Sequence, residues 1–534
     1  MEDDKISKLK TSEDIVNYIK SSTFNSADMV YKELDINNEK IYIVYNEPMC
    51  NGDTVADYVV RSIQDTFQNI VIENIDKTLK EDDTKVEEHI AKKESLIQKI
   101  KQKKELQKID KKIDDILFNL EKNIAIGKSK KIDLHTEDIF YYIFSGFTCI
   151  IYNLNIFAVT TRGNLDRSIS EPTNEKTIKG PRDSFIESYQ INIGLIRKRI
   201  KSEKLILEEE VVGRRSKTKV GIMYIEDIAR KKLIKYIKDK IKKIDIDAIL
   251  DSNYLMEILE DSNKTDFPTM ISSERPDLAS FYLLQGRVVL VVENSPFALI
   301  IPAFITDFIN NVEDYYQKDI NIWFTKIVRY IAFVITIFTP AIYVALITFD
   351  QEAIPTQLLL SFSTQREGVP FPAYIEAFFM IFAFEILREG DFRVPNAGGS
   401  TLSIVGALIL GDAAVSAGIV SPIMIIVIAL TTISGLMFSD INMSNALRTW
   451  RIIFLIFASI AGLAGIAVGT LLFIIKLAST TSTTKPYTYP LAPINLDKIG
   501  KIVIKRKNIS EQKNTEKILT DNLTKYRTDK EQVK

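Results

Sequence analysis

The stretch IAFVITIFTPAIYVALITF (331–349) decides how this chain is read. It is uncharged from end to end and close to the roughly 20 residues that a helix needs to cross hydrocarbon. Lys326 and Arg329 stand just before it. By the positive-inside rule they keep the preceding region cytoplasmic. Three further apolar blocks follow: Pro370–Leu387, Leu402–Phe438 and Ile452–Ile475. The second opens on Pro370 and Pro372 and either spans or re-enters. The third is too long for one helix and carries Gly406, Gly411, Gly418 and Pro422. A pair of short or broken helices is expected there, because irregular backbone at that depth must be covered by protein or line a cavity. The fourth has no charge, and Ala461, Gly465 and Gly469 recur every fourth residue on one stripe where another helix approaches closely, within one subunit or between subunits.

Acidic residues inside such blocks are costly unless they face water or a partner. Glu376, Glu385 and Asp412 are therefore candidates for an ion pathway. Glu385 precedes Arg388 by three residues, so a local ion pair also explains it. Glu376 has no cation within a helical turn and is the better pore candidate. The two lie nine residues apart, which turns a helix through about 900° and sets them on opposite faces. Asp412 follows Gly411, where the third block is expected to break, and either caps a half-helix or faces an aqueous path.

Before about Lys326 the chain is charged and water-soluble. Over all 534 residues, 69 basic and 70 acidic side chains nearly cancel, and nothing in that balance points to nucleic acid. The acidic start lacks the apolar core of a signal peptide. Cys50 and Cys149 are expected as buried free thiols. His89 and His135 have no ligand spacing around them, so neither a metal nor a cofactor is expected.

The soluble half repeats itself. IYIVYNE (41–47) and VGIMYIED (220–227) each lead into helices, and GFTCIIYNLNIFAV (146–159) and GRVVLVVENSPFALI (286–300) each read as a hairpin. Two related α/β subdomains are predicted, residues 1–200 and 201–325. The transmembrane helical region is assigned to 326–478 and a basic tail to 479–534. A charged helical insert occupies about 81–119 of the first copy, with Leu106, Ile109, Ile113, Ile116 and Leu120 at helical spacing. A linking helix is expected over 182–200, with Pro181 at its first position and Arg197, Lys198 and Arg199 near its end. The tail run Lys498, Lys501, Lys505, Arg506 and Lys507 suits an anionic leaflet. If tail and N-terminal region share one side, the crossings are even in number.

Gly213-Arg-Arg-Ser-Lys-Thr-Lys219 lacks the spacing of a phosphate-binding loop. It reads as a basic hairpin turn or an interdomain contact, which makes Arg214 and Arg215, with Arg182, candidates for subunit or interdomain contacts beside Gly465 and Gly469. No catalytic motif occurs, and an enzyme is not expected.

Several stretches together resemble the A subunit of GerA-type spore germinant receptors. They are KGPRDSFIESYQINIGLIRKRI (179–200), GRRSKTKVGIMYIEDIA (213–229), DAILDSNYLMEILED (247–261), SERPD (273–277), NSPFALIIPAFITDF (294–308), EDYY (313–316), RYIAFVITIFTPAIYVAL (329–346), REGVPFPAYIEAFFMIFAFEILRE (366–389) and SIVGALILGDAAVSAGIVSP (403–422). The resemblance runs in order from about Gly146 to Pro493. It implies the inner membrane of a dormant spore, with the N-terminal region cytoplasmic. It also implies a nutrient-binding integral-membrane B subunit and a lipoprotein C subunit as partners. A homo-oligomeric ring, a pentamer, acting as a ligand-gated cation channel is the implied function. Asp412 stands where that family usually has glutamine, and Asn396–Ser400 departs from the family's proline-containing loop. A SpoVAF-type membrane protein not itself answering to a nutrient, and a non-conducting scaffold, are the alternatives.

Overall fold

The computed structural model describes residues 11–36, 39–64, 129–133, 138–163, 175, 180–260, 265–316, 319–393, 399–483, 485–492 and 494. The charged insert, both histidines and the basic run from Lys498 lie outside them.

The soluble half holds two five-stranded antiparallel sheets. The first comprises β1 (Met29–Ile36), β2 (Glu39–Asn46), β3 (Ser129–Ile132), β4 (Phe147–Tyr152) and β5 (Asn155–Thr160), in spatial order β1-β2-β4-β5-β3. The second comprises β6 (Leu205–Val212), β7 (Thr218–Ile225), β8 (Ile271–Ser273), β9 (Val288–Val292) and β10 (Ala298–Ile301), in the matching order β6-β7-β9-β10-β8. The repeat seen in the sequence is thus a repeat of topology. The recognised pieces are β2, β7 and the two hairpins.

Strand periodicity explains why both faces are covered. Ile41, Ile43 and Tyr45 face one apolar cluster while Tyr42 and Val44 face another. In the second sheet Val288, Leu290 and Val292 pack on one side and Val289 and Val291 on the other. Helix α1 (Ser12–Ser22) and helix α2 (Ile139–Ile143) cover one face of the first sheet. Its β4–β5 turn places Asn153 and Leu154 at φ 44° and 63°, the backbone of a tight two-residue hairpin loop.

The linking helix is shorter than expected. Helix α3 spans Tyr189–Arg199 with Ser188 as its N-cap, so Pro181 does not open it. The preceding segment is held extended instead: Phe185 N–H donates to Glu274 O at 2.7 Å. The Asn192 side chain brackets Ile186, accepting from its N–H at 2.8 Å and donating to its carbonyl at 2.5 Å. By packing, α3 belongs to the second subdomain, whose core includes Phe185, Tyr189, Ile193, Ile196 and Met223. Helices α4 (Lys231–Ile241) and α5 (Ser252–Leu259) cover the opposite face, and α6 (Pro276–Leu283) lies beside α3.

A helical bundle follows a short helix α7 (Ile305–Ile309). Its members are α8 (Asp319–Thr348), α9 (Thr356–Arg366), α10 (Ala373–Arg393), α11 (Gly399–Ser416), α12 (Pro422–Gly435) and α13 (Ile441–Ser479). The long third apolar block divides into α11 and α12 around Gly418, at φ 64°, and Pro422 in the first turn of α12. By length and composition, Ile322–Thr348 and Ile441–Ser479 qualify as candidate spans, with mean hydropathy 2.3 and 2.5.

The last of these is a helical hairpin. Ala461 (φ −138°, ψ 21°) and Gly462 (φ 57°, ψ −137°) leave helical geometry, and the Trp450 and Phe473 rings meet at 4.9 Å. In one straight helix those rings would stand about 35 Å apart. A Cβ on Gly465 would lie 2.0 Å from the Phe457 carbonyl oxygen, and one on Gly469 would lie 3.0 Å from the Phe454 ring. The small residues therefore allow the second limb to lie against the first. Asp350, beyond the end of α8, accepts from Leu463 N–H at the hairpin tip at 2.8 Å.

Among the described residues, contacts at the two ends of the bundle make six helical passes, α8, α10, α11, α12 and the two limbs of α13, run alternately away from and back to the soluble half. The chain then returns beneath the second sheet. Ser482 donates to Thr269 O at 2.6 Å, and Ile305 N–H donates to Tyr487 O at 3.1 Å. Residues 480–483 and 485–489 are thus part of the packed structure, whereas the sequence alone places them in the tail.

Candidate ion pathway and its charged residues

Glu376 lies in the first turn of α10. The prolines before Ala373 fix the helix start, while the charged stretch after Leu387 extends its other end. The side chain is 1% exposed. One oxygen accepts from Arg366 Nη2 of α9 at 3.1 Å, and the other accepts from Ser421 N and Oγ at 2.9 Å each. Ser421 is the N-cap of α12, so the carboxylate neutralises a guanidinium and also satisfies a helix N-terminus.

Glu385 is also partnered, but by another helix. It pairs with Arg448 at 2.5 Å and Arg451 at 3.1 Å on the first limb of α13. Arg388, the expected local partner, donates to Ser444 on that limb at 3.3 Å. Glu376 and Glu385 thus face different neighbours, as their half-turn offset requires.

Asp412 differs from both. It is exposed, four residues before the end of α11, and makes no hydrogen bond or ion pair among the described residues. A position near a helix C-terminus excludes the N-capping role and is electrostatically unfavourable for an anion.

Arg214 pairs with Asp245 at 2.5 Å on the surface of the second subdomain, and Arg215 N–H donates to Asp247 O at 2.8 Å. The 213–217 segment is the β6–β7 turn. Arg182 is exposed. Gly465 and Gly469 pack within the chain's own hairpin.

A buried side chain that joins the two subdomains is Arg197, which from sequence alone reads as a complement to the helix dipole. It is 0% exposed. Its guanidinium meets Asp28 at 2.7 and 3.0 Å, donates to Ser26 Oγ at 3.1 Å and lies 4.6 Å from the Phe144 ring centroid. Burial opposes ionisation of Asp28, but the Arg197 charge and hydrogen bonds from Arg197, Ser26 and Asn46 hold its carboxyl below the usual range.

A second network couples the soluble half to the bundle. Arg275 binds Asp277 at 2.8 and 3.1 Å and Glu313 at 3.1 Å. Tyr316 donates to Asp277 at 2.9 Å, and Arg329 of α8 pairs with Asp314 at 2.8 and 3.0 Å. Burial and the Asp277 carboxylate push Tyr316 up to about 12. Arg287 chelates Asp307 at 2.7 and 2.9 Å. A cavity of about 480 Å³ opens in this seam beside Glu175, Arg275, Glu313, Arg329 and Asp440. Burial raises the Glu175 carboxyl to about 7, although Ser273 and Arg275 oppose the shift. SERPD and EDYY supply most of these groups, and their dense charge was the available sequence signal.

Two related antiparallel-sheet subdomains joined through charged contacts to an apolar helical region with two candidate spans define the class of architecture. The chain belongs to the Bacillus/Clostridium GerA spore germination protein family, whose model matches residues 17–518. It is 42% identical over 378 residues to spore germination protein KA of Bacillus subtilis, covering 70% of this chain and 69% of that one. Against spore germination protein GerIA of Bacillus cereus it is 33% identical over 487 residues, 91% of this chain and 65% of the relative. The crystal structure of the N-terminal domain of the A subunit of the Bacillus megaterium spore germinant receptor GerK3 aligns with 27% identity and a TM-score of 0.36, over 55% of this chain and 96% of that one.

Proposed function

We propose that this chain is the A subunit of a nutrient-responsive germinant receptor and forms a homo-oligomeric, ligand-gated cation channel in the spore inner membrane. The six alternating passes support a multi-pass topology with the soluble half and the chain after the hairpin on one side, taken as cytoplasmic. An integral-membrane B subunit binds the nutrient and a lipoprotein C subunit completes the receptor. The chain itself is not an enzyme, and a pentameric ring suits the role.

The observation that carries the channel reading is Asp412, an exposed carboxylate on an apolar helix with no partner among the described residues. Repeated around a ring, it supplies fixed negative charge that concentrates cations in a pore. Pairing of Glu376 and Glu385 moves the pore role away from them. The test is conductance of the purified full-length chain in planar bilayers. Asp412→Asn is expected to lower cation conductance about two- to fivefold at low salt, and less at 1 M salt, where fixed charges are screened. Protein abundance stays normal, because no bond is lost. Wild-type protein that oligomerises in the bilayer and passes no current would instead identify a scaffold.

A further inference from the structure

Where the first limb of α13 passes α10, the ion pairs among the described residues set two guanidiniums against one carboxylate. Glu385 accepts from Arg448 Nη1 at 2.5 Å and from Arg451 Nη2 at 3.1 Å, so one carboxylate serves two guanidiniums. Among the described residues, neither Arg448 Nε nor Arg451 Nε, both buried, has a hydrogen-bond partner, and Arg451 is only 6% exposed. Guanidinium does not shed its proton in a protein. A second positive charge in an apolar bundle therefore calls for a second anion.

The cluster is open on one side, since the Glu385 and Arg448 side chains remain partly exposed. Its rim is apolar: Phe382, Ile386 and Ile452 all point outward. A mouth facing water would not be lined in this way, whereas one facing acyl chains would. Arg448 lies seven residues inside Ile441, about 10 Å along the helix from its soluble-side end. A headgroup phosphate on that side is within reach of long side chains that extend toward the interface.

We propose that Arg448 and Arg451 bind the phosphate of an anionic phospholipid whose acyl chains lie along Phe382, Ile386 and Ile452. Guanidinium suits this ligand because its planar fork matches two phosphate oxygens. Glu385 then orients the two arginines and tempers their charge. The site rests on the reading that the bundle spans a membrane, and a chain that never enters bilayers would overturn that reading separately.

The test uses the full-length chain purified from mixed phosphatidylglycerol and phosphatidylcholine, with the ratio of the two retained lipids measured by native mass spectrometry. Wild-type protein is expected to retain phosphatidylglycerol preferentially. Arg448→Gln should lower that preference about tenfold, the loss of one strong charge-assisted contact. Glu385→Gln should raise it, because the guanidiniums no longer share their charge with a carboxylate. Arg448→Lys keeps the charge without the fork and should fall between wild type and Arg448→Gln. A purely structural ion pair predicts lost stability in the Gln variants and an unchanged lipid ratio, which would overturn the proposal. So would displacement of the lipid by millimolar inorganic phosphate, the mark of a free-anion site. Preference seen only in dissociated subunits would assign the arginines to a neighbouring copy's carboxylate instead.

Discussion

Glu376 holds three parts of the bundle together with one carboxylate, joining α9 through Arg366, α12 through Ser421 and its own helix α10. Glu376→Gln keeps the shape but leaves Arg366 without its counter-charge and weakens the α12 cap. Arg366 is 21% exposed, so the loss falls below that of a fully buried pair, at about 2–3 kcal/mol. Thermal unfolding of the detergent-solubilised chain measures it. The Arg366→Gln/Glu376→Gln double variant should recover about 1 kcal/mol relative to the sum of the single changes, and strict additivity would rule the pair out as the source. The sequence had no way to show this partner, because Arg366 lies ten residues away across two prolines. Arg448 and Arg451 are still more remote from Glu385. Arg197 was hidden differently: three basic residues at a helix end all satisfy the dipole, and only Asp28, 169 positions earlier, distinguishes the first of them.

Among the elements, the α13 hairpin shows how far an apolar pattern can be read. Charge-free composition marked Ile452–Ile475 as one apolar block, and its small residues do stand at a close approach, between two limbs of the same chain. It did not show the reversal, because both limbs are equally apolar and no proline marks the turn. Gly462 meets that need with a positive φ that other residues rarely adopt. By contrast, Gly418 and Pro422 did mark the break between α11 and α12, since a left-handed residue and a proline both punctuate a helix. Gly465→Ala is expected to be severe, as its methyl would meet the Phe457 carbonyl at 2.0 Å, backbone that has no rotamer to yield. A cost above about 3 kcal/mol and a collapse in folded yield should follow. Gly469→Ala meets the Phe454 ring at 3.0 Å, which shifts more easily, so about 1–2 kcal/mol is expected. Equal effects in a folded-yield assay would argue against the hairpin.

For the whole molecule, the duplicated sheet was legible because two alternating strands and two hairpins recur in order, whereas the seam beneath it was not. That seam gathers Thr269, Arg275, Glu313, Arg329 and Ser482 from segments far apart in sequence, so no local pattern announces it. Glu175 sits there, half-buried, accepting from Ser273 Oγ at 2.6 Å. Its carboxyl is raised to about 7 from 4.5 by burial, with Glu274 and Asp440 adding to the shift and Ser273 and Arg275 opposing it. Burial also raises Asp440, at the start of α13. Between about pH 4.5 and 7 the folded chain holds a proton at Glu175 that the unfolded chain has lost, so stability falls as pH rises through that window and levels off above it. The contribution is at most about 3 kcal/mol, and less where water reaches the carboxyl. Unfolding of the intact chain should therefore shift to lower temperature between pH 5 and pH 8. Glu175→Gln keeps the hydrogen bond to Ser273 without the charge and should flatten that slope. Because the carboxyl lies between the second sheet and the bundle, the same rise in pH should speed proteolysis or hydrogen exchange at the seam before it affects the sheets. Exchange that increased uniformly across the soluble half would show that Glu175 does not set the strength of this joint.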